Sequence, residues 1–148
     1  MKKIAVLPLW VTLVGCATVP GTRPGVALEF RPGSLAPAAG LTEMTVAGSG
    51  QKVYLSNETV LSNDDVKSSR VVPGAYGPQV EIVFTKAGAD KFTRVTERSL
   101  MQPLGILVDG QLVSAPIVRE TIRSSRALIS GNFSDAEARR IAEGIGRK

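Results

Sequence analysis

The chain contains no histidine and a single cysteine, Cys16. The first absence removes the usual general base near neutral pH and the commonest metal ligand. The second excludes a disulfide within the chain, so stability must come from packing. Aromatic residues number seven, and the 18 basic residues are scattered and not gathered into a stripe, which argues against a nucleic-acid partner despite a formal charge of +5. Long charge runs and internal repeats are also missing. The longest apolar run, Ile4 to Val14, has 11 residues. At about 1.5 Å per residue it is far shorter than the ~30 Å hydrocarbon core of a bilayer.

That short run has a recognisable setting. Lys2 and Lys3 precede it and Leu13-Val14-Gly15-Cys16 follows, giving a charged segment, an apolar segment and small residues before a cysteine. The pattern resembles a bacterial lipoprotein signal, in which the thiol receives a diacylglycerol, cleavage occurs before the cysteine and the new amino terminus is acylated. An ordinary secretory signal or a buried anchor helix are the alternatives. On the lipoprotein reading Cys16 is the lipidation site, residues 1–15 are removed, and the remaining 133 residues carry a formal charge of +3 after loss of Lys2 and Lys3. Ala17 after the cysteine resembles an outer-membrane destination more than an inner-membrane one. Residues 16–25, with Pro20, Gly21, Pro24 and Gly25, form a tether, and residues 26–148 form one domain.

Elements are clearest in the second half of the chain. Val80, Ile82 and Phe84 alternate with Glu81 and Val83 as a strand. Thr85 caps a helix from Lys86 to about Met101 whose apolar face holds Ala89, Phe92 and Val95, and Pro103 ends it. Leu104 to Val108 is a continuous apolar run, expected to be central in a sheet, and Asp109-Gly110 supplies a type I′ hairpin turn leading back through Leu112 to Ala115. A strand at Ala127 to Ser130 follows. Gly131 and Asn132 are expected to use unusual backbone angles in the next turn, and Ser134 to Glu137 is a capping box for a helix with Ala138, Ile141, Ala142 and Ile145 on one face. Earlier in the chain, Val26, Leu28 and Phe30 suggest a strand before an irregular stretch to Leu41. Thr42 to Ala47 and Gln51 to Leu55 suggest two more, Ser62 to Asp65 caps a short helix reaching Ser69, and Arg70 to Gln79 reads as a Gly/Pro loop. The fold class is α+β, an antiparallel or mixed sheet with two main helices on one face.

The series Val80-Glu81-Ile82-Val83-Phe84, Gly88-Ala89-Asp90-Lys91-Phe92, Ile106-Leu107-Val108-Asp109-Gly110, Ser114-Ala115-Pro116 and Ile129-Ser130-Gly131-Asn132-Phe133, ending in Glu137-Ala138, resembles the head subdomain of the first periplasmic domain of SecD. SecD is the accessory membrane subunit of the bacterial Sec translocase. The resemblance extends over about residues 53–143. It departs from the family at Ser124-Ser125-Arg126, where a glycine-rich turn is usual, and at Met101-Gln102-Pro103. It implies a periplasm-facing module that holds polypeptide. The membrane-spanning helices that couple SecD to proton flow have no counterpart in this sequence, so no motor activity is expected.

Catalytic readings are weak. Asp64-Asp65 is explained by the first turn of a helix, where negative charge is favoured. Ser130 has no base to activate it. The expectation is a non-enzymatic module without cofactor or metal, attached to the membrane through Cys16, that engages polypeptide or an envelope protein and assists export. The alternative is a structural or inhibitory envelope lipoprotein unrelated to export. Strands at Gln51–Leu55 and Ala127–Ser130 are candidate sheet edges for capturing extended chains.

Overall fold

In the computed structural model the structure describes residues 25–146. The expected signal, Cys16 and most of the tether lie outside the described residues. Among the described residues, six strands precede the first α-helix and three more separate it from the second, with all strand pairs antiparallel.

Two sheets form where one was expected. The larger one has the order β2-β3-β1-β7-β8, built from β1 (Leu28–Ser34), β2 (Leu41–Thr45), β3 (Lys52–Ser56), β7 (Leu104–Val108) and β8 (Gln111–Ser114), with the short β4 (Leu61–Ser62) beside β1. The smaller has the order β5-β6-β9, built from β5 (Val66–Gly74), β6 (Gly77–Phe84) and β9 (Arg126–Ile129). Past β2 the chain bends so that the Ala47 amide donates to the Leu112 carbonyl of β8 at 2.8 Å. This bond draws the two ends of the larger sheet together.

The central strand shows why its sequence does not alternate. Leu104, Ile106 and Val108 of β7 face the main core, while Leu107 faces a second cluster with Val46, Val53, Leu55, Leu112 and Ala115. All five residues of β7 are buried, so both faces must be apolar. Leu55 fills the space over Gly33 and Gly105, where a Cβ would collide with its methyl groups. The main core joins Leu28 and Phe30 of β1 to Val80, Ile82 and Phe84 of β6 and to both helices, α1 (Lys86–Arg98) through Phe92 and α2 (Asp135–Ile145) through Ala138, Ile141, Ala142 and Ile145. Phe30, Phe84 and Phe92 meet at its centre with ring centroids 4.9–6.2 Å apart.

Both helix caps are as expected. The Thr85 hydroxyl accepts from the Gly88 amide, and Ser134 and Glu137 form a reciprocal capping box. Four expectations need correction. The helix expected from Ser62 to Ser69 is a single 3-10 turn, Asn63–Asp65, because Asp65 is held in place by the Ser62 amide and the Lys91 ammonium and the chain then enters β5. The Arg70–Gln79 loop is the paired end of the β5–β6 hairpin, with Pro73 opposite Pro78 and Gly74 opposite Gly77. Phe84 bonds through its amide to Ser125, so alternate residues of β6, down to Pro78, point their nitrogens away from β5. The two prolines thus occupy non-bonded positions and leave the ladder intact. β1 continues through Pro32 and Gly33 to Ser34, supported by β7 and β3. Finally, α1 ends at Arg98, and the chain turns away through Ser99–Gln102, closed by the Gln102 amide donating to the Ser99 carbonyl at 3.0 Å, with Met101 as its third residue at φ 61°, a left-handed turn position that glycine commonly fills.

Candidate functional site

Between the two sheets the structure leaves a cleft of about 570 Å³. Its floor is Phe30, Leu104 and Ile106 of the larger sheet and Phe92 of α1, all of them buried members of the main core that the cleft reaches only at their edges. One wall is the segment after β8, carrying Ile117, Val118 and Ile122; the other is β9, with Ala127 and Leu128; the charged side chains of Glu81, Arg119, Glu120 and Arg126 complete its rim.

The wall after β8 has little regular structure and is pinned by side chains. The buried Thr96 hydroxyl of α1 accepts from the Ile122 amide at 3.0 Å, and the Thr93 hydroxyl donates to the Ile122 carbonyl at 3.1 Å. Two threonines one helical turn apart thus satisfy both backbone groups of one loop residue. Nearer β8, the Val118 carbonyl accepts from the Met101 amide and its amide donates to the Gln102 carbonyl.

Among the described residues, the β9 wall is a sheet edge with no strand beyond it. Ser125 accepts from Phe84, so by antiparallel alternation residues 125, 127 and 129 direct their backbone groups to β6 while Arg126 and Leu128 direct theirs outward. The Ser124 hydroxyl takes the Arg126 amide at 3.0 Å. Among the described residues, the Arg126 carbonyl and both backbone groups of Leu128 then have no partner at the edge. The Leu128 side chain is 54% exposed. On the outer face beside it, Glu81 receives a hydrogen bond from Arg70 at 2.7 Å and lies 3.6 Å from Arg126. The Arg70 hydrogen bond, reinforced by the charges of Arg70 and Arg126, holds the Glu81 carboxyl below its ordinary range.

The residues singled out from the sequence do not meet at this cleft. Asp109 and Gly110 take φ 51° and 79°, as a type I′ turn requires, at the far end of β7 from Leu104. Asp109 has a second role that its sequence neighbourhood conceals: it accepts from the Ala27 amide at 2.9 Å and pairs with Arg140 of α2 at 2.8 Å. Gly131 and Asn132 sit beyond β9, and the unusual backbone angles expected of them are absent, since neither has a positive φ. Glycine is needed at 131 for space, because a Cβ there would touch the Phe133 ring, and Asn132 packs against Gly48. Of the two candidate edges, β9 is one and β3 is not: β3 lies between β2 and β1, and Val53 is fully buried. The sequence reading missed Phe30, Thr93, Thr96 and the Pro116–Ile122 wall. The spacing of the two threonines on one face of α1 and the apolar run Ile117-Val118 after a strand-ending proline were the available signals.

Among the described residues no helix is long and apolar enough to cross a membrane. Comparison with known proteins places the chain clearly. The family described as SecDF, P1 head subdomain, matches residues 40–145, wider at both ends than the resemblance read from the motifs. The protein translocase subunit SecDF of Thermus thermophilus is 38% identical over 84 residues, covering 56% of this chain and 11% of that protein. The SecD subunit of Syntrophobacter fumaroxidans is 32% identical over 93 residues, covering 62% of this chain and 17% of that protein. The chain therefore spans less than a fifth of the length of these relatives. A solved structure of SecDF, described as a membrane component that enhances protein export, superposes with a TM-score of 0.66 at 25% identity over 83% of this chain and 63% of that one. The super-membrane-facing form of SecDF gives 0.67 at 27% identity over 82% of this chain and 18% of its own. With its antiparallel sheets, two capped helices and a family match over most of its length, the chain belongs to the SecDF P1 head subdomain family.

Proposed function

We propose that this chain is a periplasm-facing, membrane-tethered binding module that engages extended polypeptide and assists protein export without catalysing a reaction. The observation that carries the reading is the junction of a strand edge at Leu128, unpaired among the described residues, with a cleft floored by apolar core side chains. Backbone pairing at such an edge makes few demands on the sequence bound, which suits a holder of unfolded chains. Family membership supports the export link, and the apolar segment ending at Cys16 supports a lipid anchor that keeps the domain at a membrane surface.

A photo-crosslinking residue placed at position 128 in growing cells tests the proposal. Adducts with many newly exported polypeptides are expected. Adducts with one folded envelope protein alone would favour a second reading, a structural or inhibitory lipoprotein. That reading has its own observation: Tyr76 stands fully exposed at the tip of the β5–β6 hairpin, where a rigid aromatic can anchor in a partner's pocket.

A further inference from the structure

The edge at β9 is two-sided, and the two sides differ. On the inner side Ala127 and Ile129 turn toward the main core, and the cleft beyond them offers Phe30, Phe92, Leu104 and Ile106. On the outer side Arg126 and Leu128 stand beside Glu81 and its arginine partners, open to solvent. A strand added to this edge would lie about 4.8 Å from β9 with its side chains alternating between the same two sides. Every second residue would enter the apolar cleft. The residues between would emerge at the charged rim formed by Arg126 and the Glu81–Arg70 pair, where the Leu128 side chain is an apolar neighbour and a polar or acidic group stays hydrated.

Resting on the polypeptide-binding reading above, we infer that the site selects segments with period-two alternation of apolar and polar residues, that is, chains already patterned as half-buried β-strands, over segments of equal composition patterned as amphipathic helices. Register is set by the cleft, because a one-residue slip would carry polar side chains into it. The exposed part of the edge is short: Arg126 and Leu128 supply three backbone groups without a partner among the described residues. Side-chain burial must therefore contribute a large share of the binding, which makes the pattern matter.

Two ten-residue peptides test this, one with leucine at every second position and serine or threonine between, the other with the same residues permuted to place leucines at i, i+3, i+4 and i+7. Titrated against the full chain, the alternating peptide is expected to bind at least about tenfold more tightly. Leu128→Pro, which removes an outward-facing amide and no bond to β6, should abolish the difference by weakening the alternating peptide. Ala127→Gln, which sets a polar group in the cleft mouth, should do the same if the inner side is the apolar one. Equal affinity for both peptides, or a preference for the helical pattern, would overturn the inference while leaving polypeptide binding intact. Failure of either peptide and of a chemically unfolded protein to bind would overturn the polypeptide reading itself.

Discussion

The Thr96 hydroxyl accepts a hydrogen bond from the Ile122 amide at 3.0 Å while sharing its own proton between the Phe92 and Thr93 carbonyls of α1. Thr96 is wholly buried and Ile122 half-buried, so losing the acceptor leaves a partly desolvated amide without its partner. This contact fixes one wall of the cleft to the helix that supplies part of its floor. Thr96→Val keeps the shape and removes the acceptor. It should lower stability by about 1–3 kcal/mol in a denaturant titration. Hydrogen exchange at Ile122 should accelerate well beyond that of the core strands, and exchange accelerated equally at every core amide, in step with the loss of global stability, would show that the wall is not held by this bond.

A second long-range tie joins Asp109 to Arg140 and to the Ala27 amide, linking the β7–β8 turn, the start of β1 and α2. The Arg140 hydrogen bond, then that of Ala27, holds the Asp109 carboxyl below its ordinary range. A depressed carboxylate contributes stability that is present above the unfolded value of about 3.9 and is lost as the pH falls through the folded value. Asparagine also tolerates the positive φ of this position, so Asp109→Asn isolates the charge from the turn. The variant should melt below wild type at pH 7, and the gap should narrow progressively as the pH falls below about 3.9. A gap that persists undiminished in acid would assign the effect to the turn.

Much of this fold could be read from residue order because local and global preferences agree. The caps at Thr85 and Ser134, the turn at Asp109-Gly110 and the doubly buried run Leu104–Val108 each state their structure within a few residues. Where the reading failed, the deciding contact lay far away in sequence. Ser62 begins a helix-like turn, but Asp65 is fixed by Lys91 and the chain leaves as β5. Pro73 and Pro78 look like loop residues until alternation across the hairpin places both at positions that need no amide. Val53 has the pattern of an edge strand, and only the pairing with β1 and β2 makes it central. The cleft was the least legible feature, since its floor is Phe30, Phe92 and Ile106, residues that read simply as core.

Anchoring through Cys16 has its own test. On the lipoprotein reading, Cys16→Ser abolishes labelling by a radioactive or clickable fatty acid and blocks cleavage before that residue, while the folded domain is unaffected. Membrane association with an unchanged processed mass in the variant would reject the lipid anchor.

Two left-handed positions make opposite predictions. Gly110 has φ 79° and nothing within 4 Å of the place a Cβ would occupy, so substitution there meets strain from the backbone alone. Gly110→Val should cost on the order of 1–3 kcal/mol. Met101, at φ 61°, already bears that strain after the end of α1, and its side chain is 63% exposed, so little packing is lost on removing it. Its amide still donates to the Val118 carbonyl at 2.7 Å, a bond that glycine keeps. Relief of the left-handed penalty, about 1–2 kcal/mol, must be set against the extra freedom glycine gives the unfolded chain, about 0.5–1 kcal/mol. Met101→Gly should therefore leave stability unchanged or raise it by up to about 1 kcal/mol, whereas Met101→Val, β-branched at a positive φ, should lower it by about that amount or more. Thermal melts of the three variants check the pair of claims together. A glycine variant clearly less stable than wild type would mean that the exposed methionine makes a contact worth more than the strain it imposes.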